Sequence, residues 1–328
     1  MTAYIVRRLF QMVIVAFVIS FIAFVIIQLP QGSFLDYQIA QLRAEGQAVD
    51  QAEIDFLVQR YGLDSGFGDQ YIRWISNIIL RFDFGQSFQL ERPVLDLIAE
   101  RLPMTLMISI PAVILIYLVS IPIGIYAALH QYSPMDYLLS LIGFFGLAIP
   151  DFLLAIVLIY LGNRYFGTNV GGLFSIQYEL EGWSIGKVLD LISNLWIPIL
   201  VIGIGGTTGL IRVMRGMMLD ELSQPYVETA RAKGLPEMKL IYKYPVRLAI
   251  SPILSTIGYQ LPAVFSGTAI VAIVLNLPTI GPLLLNALLS QDMYLAGSVI
   301  LILSVLTLIG TLISDLILAW VDPRIRYV

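Results

Sequence analysis

The chain of 328 residues is 58% hydrophobic and only 13% charged, with a mean hydropathy of +0.84. Soluble domains run about 45–50% apolar and about 25% charged, so this composition belongs to a membrane protein. With 0 Cys it excludes disulfides and thiolate chemistry, its single His130 argues against a histidine-based triad or a multi-histidine metal site, and its net charge of -4 is small and uneven.

A bilayer-crossing helix needs about 20 mostly apolar residues. Six stretches qualify: Leu9 to Leu29, Met104 to Leu129, Tyr137 to Leu161, Leu191 to Leu210, Ile250 to Leu275 and Leu295 to Trp320. Pro111, Pro122, Pro150, Pro198 and Pro262 mark expected kinks inside them. The first stretch follows Arg7 and Arg8. It is too long for a signal-peptide core and no small-x-small cleavage site follows, so a retained first span is expected.

Between the first two spans lies an acidic region, six Arg against eleven acids from Pro30 to Pro103. Gln51 to Tyr61 has helical periodicity ending at Gly62, and Tyr71 to Leu80 presents Ile72, Trp74, Ile75, Ile78 and Ile79 as a second apolar face. A small extracytoplasmic helical cap is the expectation here. The chain then divides into residues 1–30 (tail and first helix), residues 31–103 (cap) and residues 104–328 (a five-helix core), with an inner polar segment at 218–248.

Asp151 falls well inside the third expected span, directly after Pro150, and Asp315 lies in the sixth. Carboxylates there are costly and often mark a substrate or ion path, so Asp151 is a candidate pathway residue; pairing within the bundle is the plainer reading. Gly203, Gly205, Gly206 and Gly209 sit in the fourth span with no strand before them, so they read as close helix packing, with Gly205 and Gly209 as a small-x3-small pair. Gly182-x3-Gly186-Lys187 has the wrong spacing for a phosphate loop.

The loop after the fourth span is the most basic in the chain: Arg212, Arg215, Arg231, Lys233, Lys239, Lys243 and Arg247. With Arg7, Arg8, Arg324 and Arg326 it places both termini and this loop on the cytoplasmic side. Within it, Ser223 is expected to cap a helix opened by Pro225; Glu228 lies at its positive end, Arg231 and Lys233 at its negative end. Gly234 stands where a left-handed residue closes a helix, and Pro236 allows another to start. Thr229, Ala230 and Ala232 are small enough for a partner to come close. Farther on, Leu277 to Tyr294 contains an apolar run too short to span, expected to be re-entrant or interfacial.

These residues carry a resemblance. Tyr226-Val227-Glu228-Thr229-Ala230-Arg231-Ala232-Lys233-Gly234 resembles the cytoplasmic signature of ABC importer permeases, in the form found in the peptide-type branch. The later Ile-x-Leu-Pro part of that signature is not in register. Gly62-Leu63-Asp64, Asp83-Phe84-Gly85-x-Ser87, Arg101-Leu102-Pro103-x-Thr105-Leu106, Ile121-Pro122-x-Gly124 and Asp322-Pro323-Arg324-Ile325-Arg326 resemble further motifs of its B-type permeases, in order along nearly the whole chain.

The resemblance implies a type I permease fold of six transmembrane helices. It implies a bacterial or archaeal plasma membrane location, a second permease subunit, two cytosolic ATPases and an extracytoplasmic binding protein. ATP and Mg would sit on the partners, with no cofactor in this chain and no nucleic acid involved. Tyr226, Glu228, Thr229, Ala230, Arg231, Ala232 and Gly234 would form the helix seated on an ATPase, and the cargo would be peptide. The alternative function is a secondary carrier driven by an ion gradient, with Asp151 and Asp315 as its thin ionisable relay.

Overall fold

In the computed structural model the described residues are 2–28, 65–87, 89–166, 171–258, 260 and 269–321. The expected helix at Gln51 to Tyr61, the Gly62-Leu63-Asp64 motif, Pro262 and the tail from Asp322 to Arg326 lie outside them. Among the described residues the chain is helical: α1 Thr2–Gln28, α2 Phe67–Arg81, α3 Val94–Leu129, α4 Pro134–Ala148, α5 Asp151–Phe166, α6 Ile176–Glu179, α7 Ile185–Leu222, α8 Pro225–Ala232, α9 Glu237–Lys243, α10 Pro245–Ser255, α11 Ala269–Val274, α12 Ile280–Leu289 and α13 Met293–Val321.

Among the described residues four helices are long and apolar enough to cross a membrane, over Ile5–Ile26, Val94–Leu129, Ile185–Leu222 and Tyr294–Val321. The third expected span is not one helix. It breaks at Pro150 into α4 and α5, which meet at 101°, the geometry of a broken span or of a re-entrant loop. Asp151 therefore opens a helix rather than sitting in the middle of one. The expected span Ile250 to Leu275 passes through residues 259 and 261–268, outside the described set; α10 and α11 are its described parts.

The chain forms two compact units. One comprises Arg7–Pro103 and Thr279–Leu306. Its core gathers Ala23 and Phe24 of α1, Tyr71, Trp74 and Ile78 of α2, Leu97 and Ile98 of α3, Leu283 of α12 and Leu295 of α13. The Phe24 ring lies 5.3–5.6 Å from those of Phe67, Tyr71 and Trp74. The buried face of α2 is thus rotated from the expected one: Ile72 and Ile79 are exposed, and Tyr71, Trp74 and Ile78 point inward. The Asp83-Phe84-Gly85-x-Ser87 motif is a hinge piece. Asp83 Oδ1 accepts from the Gly85 N–H at 2.9 Å, Gly85 takes φ +89°, and the Ser87 hydroxyl donates to buried Asp292 at 2.5 Å.

The other unit, Met1–Val6, Met104–Pro278 and Thr307–Val328, is organised around α7, which packs on α4, α5 and α10. A helix of its 38 residues is about 57 Å long, well beyond a hydrocarbon core of about 30 Å. Its glycines mark where other chain segments press closest. A Cβ on Gly203 would fall 2.7 Å from Leu115, and one on Gly206 2.4 Å from Ile116, both on α3. Gly124 of α3 faces Met214 in the same way at 2.5 Å. Gly209 has nothing within 4 Å, so the expected Gly205–Gly209 pair is replaced by Gly203 and Gly206 against α3. The bidentate pair from Arg215 to Asp136, at 3.1 and 2.8 Å, fastens α7 to the start of α4, where Ser133 caps the Asp136 N–H.

Candidate functional site

The polar segment after α7 is a built corner. Pro225 occupies the first turn of α8, where its missing N–H costs nothing. The expected cap at Ser223 is absent: its hydroxyl donates back to the Asp220 carbonyl at 2.8 Å, and Gln224 is the N-cap residue, whose side chain does not cap α8. Ser223 is still within the end of α7, one residue too early to reach the free N–H groups of α8.

At the other end Gly234 has φ +75°, as the sequence leads one to expect. Its N–H bonds the Arg231 carbonyl at 3.0 Å, and the Leu235 N–H reaches the Ala230 carbonyl at 3.4 Å. These two bonds are the 5→2 and 6→1 bonds of a Schellman motif, and Leu235 packs against the core to which Ala230 belongs.

α8 has two distinct faces. Val227 is 0% exposed and Ala230 7%, both in a core with Met214 and Met218 of α7, Leu240 and Ile241 of α9, and Val246, Ala249 and Ile253 of α10. Glu228, Thr229, Arg231, Ala232, Lys233 and Gly234 are exposed and form an outer ridge. Ala230 therefore does not face a partner; its small size serves the inner contact. Tyr226 is half-buried and donates its hydroxyl to the Glu221 carboxylate, tying α8 to the last turn of α7. Burial, with that carboxylate beside it, pushes the Tyr226 phenol well above its ordinary range.

Arg231 reaches across the corner to Glu237 at the start of α9, with bonds of 3.2 and 2.6 Å. Hydrogen bonding to this guanidinium holds the Glu237 carboxyl below its usual value. Glu237 is missing from the sequence-derived set. Its signal is an acid in the first turn after Pro236, but a partner six residues back across a glycine lies outside the helical i,i+4 rule.

Asp151 is distant in sequence from this corner and is not part of it. It is half-buried in the first turn of α5, with its carboxylate against α7: a Cβ on Gly205 would come within 2.7 Å of Asp151 Oδ1.

The chain can be placed among known proteins. Residues 120–327 match the family described as "Binding-protein-dependent transport system inner membrane component", and residues 1–109 match the N-terminal region of such components. The chain is 32% identical over 329 residues, covering 100% of each sequence, to the oligopeptide transport system permease protein AppB of Bacillus subtilis (strain 168). It is 30% identical over 365 residues to the inner membrane ABC transporter permease protein YejB of Escherichia coli O157:H7, covering 100% of this chain and 99% of that one. To the nickel import system permease protein NikB of Staphylococcus aureus (strain MRSA252) it is 27% identical over 323 residues, covering 97% and 90%. Taken with an all-helical body carrying several membrane-length spans, these matches make the chain a member of the binding-protein-dependent transport system inner membrane components, the multi-pass permease subunit of an ABC importer and not itself an ATPase.

Proposed function

We propose that this subunit imports peptides, supplying half of a translocation pathway whose other half is a second permease, and that two ATPases drive it through α8. Cargo is released to the pathway by an extracytoplasmic binding protein. The basic residues around α8 and at both ends of the chain support a cytoplasmic position for α8 and the termini, on the side where ATP is found. The peptide cargo rests on the relatives named for oligopeptides, against one named for nickel.

One observation carries the coupling role: α8 is a short helix with a polar ridge outward and a buried apolar back. Val227 and Ala230 lock it to α7, α9 and α10, the Gly234 corner fixes its end, and Tyr226 fixes its start. A push on Glu228, Thr229 or Arg231 is passed to α7, the hub of the unit, instead of being absorbed by a loose loop.

Cross-linking in the naturally cysteine-free chain tests this. With a cysteine on an ATPase partner, Thr229→Cys forms a disulfide in the assembled complex and Ala230→Cys, turned inward, does not. Equal failure of Thr229→Cys, Glu228→Cys and Ala232→Cys to cross-link would remove α8 as the docking element.

A further inference from the structure

The chain after the Gly234 corner carries a second outward surface, of different chemistry from the ridge of α8. Leu240 and Ile241 of α9 are buried in the core shared with α7, α8 and α10, while Met238, Lys239, Tyr242 and Lys243 are exposed. Met238 is 62% exposed and Tyr242 57%, much apolar side chain to leave uncovered on a helix of 7 residues. Lys239 and Lys243 stand one helical turn apart on this face, and exposed Arg247 continues the basic line in the first turn of α10. No carboxylate among the described residues pairs with Lys239 or Lys243. The Lys243 Nζ lies 5.3 Å from the centroid of the Tyr244 ring, which packs against the core, so this cation is held in place. The α8 ridge, by contrast, sets Glu228 among Arg231 and Lys233.

A bond across the fold fixes the depth of this surface. Arg247 Nη2 donates to the carbonyl of Val321, the last residue of α13, at 3.2 Å. The apolar, membrane-length run of α13 ends at that same residue. Arg247 therefore stands where hydrocarbon gives way to headgroups. Trp320, one residue earlier, is exposed, and Trp and Tyr at the ends of spans favour that interfacial layer. Lys243 is within about 14 Å of Arg247 along even a fully extended chain, so α9 starts from the same level.

We propose that the outward face of α9, together with Arg247, is a docking surface for anionic phospholipid. The headgroup phosphate meets Lys239, Lys243 and Arg247, and Met238 and Tyr242 enter the boundary with the acyl chains. Charge complementarity commits the face to this occupant: cations without acids, beside exposed apolar side chains, suit an anionic lipid surface. The surface goes beyond the importer reading and needs neither cargo nor ATP. Lipid holds α9 from outside, as Leu240 and Ile241 hold it from within.

The test uses the complete complex in nanodiscs, with partner cysteines replaced, because this chain has none of its own. Met238→Cys carries a bimane label, and quenching is titrated with phosphatidylglycerol or phosphatidylcholine bearing a doxyl group high on the acyl chain. Phosphatidylglycerol is expected to bind at least about fivefold more strongly, the scale of one basic side chain at an anionic surface. Lys239→Gln combined with Lys243→Gln, both at exposed positions, is expected to bring the two lipids level. Equal quenching in the unaltered background overturns the proposal, as does a preference that survives both substitutions and so arises elsewhere. Absence of quenching by either lipid overturns it too, and quenching that emerges only when the ATPases are left out assigns the face to an ATPase instead.

Discussion

Gly234 concentrates the mechanical argument in one residue. Its φ of +75° is strained for any residue with a Cβ, at about 1–3 kcal/mol, and most for a β-branched side chain. No atom lies within 4 Å of a Cβ built there, so backbone strain alone decides the outcome. Gly234→Val is expected to release the corner and let ATP hydrolysis continue while uptake falls, measured side by side in proteoliposomes; Gly234→Asn, which tolerates the left-handed region, keeps more of the coupling. Full uptake by the valine variant would show that the corner transmits nothing. The Arg231–Glu237 pair braces the same corner from outside, and its pH dependence has a definite sign. Because the folded-state carboxyl is depressed, the brace is present above the unfolded carboxyl range of about 4.3 and is lost as pH falls through the lower folded value. Amide exchange at residues 235–241 is therefore expected to quicken, relative to intrinsic rates, on acidification into that range, and Glu237→Gln to show the fast behaviour at every pH.

Among the elements, the α3–α7 pair carries glycines of opposite consequence. Gly206→Leu drives a side chain into Ile116, and Gly124→Leu drives one into Met214 with the Ile211 carbonyl only 3.0 Å away. Overpacking of this kind costs about 1–3 kcal/mol or more and lowers the unfolding temperature in nanodiscs. Gly209→Ala meets no atom within 4 Å and gains helix propensity of up to about 1 kcal/mol, so it is expected to raise that temperature. A fall for both would refute the assigned packing. The glycine run was visible in the sequence as packing, but which members pack was not, because that depends on the crossing with α3, about ninety residues away. Proline makes the same point more sharply. Ile110-Pro111, Ile121-Pro122, Ile149-Pro150 and Ile197-Pro198 are the same dipeptide, yet α3 and α7 run through three of them and only the third breaks. Each proline removes one N–H and crowds the residue before it. At Pro150 the next residue is Asp, which favours starting a helix over continuing one, and Gly205 leaves room for it. The corner at Gly234 was readable because its signals act within a few residues. The inward turn of Ala230 was not, because its neighbours come from α7, α9 and α10.

At the scale of the whole molecule, the question is what supplies the free energy. The apolar surface of α1, with Val6, Phe10, Val13 and Phe17 all exposed, has no ionisable group beyond Arg8. Within the unit around α7, Asp136 is already bound to Arg215 on two bonds, which removes it as a proton carrier. Asp151 at a helix break and Asp315 within α13 are then left, and two carboxylates so separated are a thin path for a driving ion across about 30 Å of hydrocarbon. Under the coupling proposed above, the braced, exposed ridge of α8 is where an ATPase would push. Proteoliposomes holding the complete complex, with ATP and Mg on the ATPase side and both proton and sodium gradients collapsed by ionophores, are therefore expected to accumulate peptide at an undiminished rate. Removal of ATP with an imposed gradient is expected to stop uptake. Transport that follows the gradient and ignores ATP would return the chain to the class of secondary carriers, and Asp151 would then have to be read as the binding site of the driving ion.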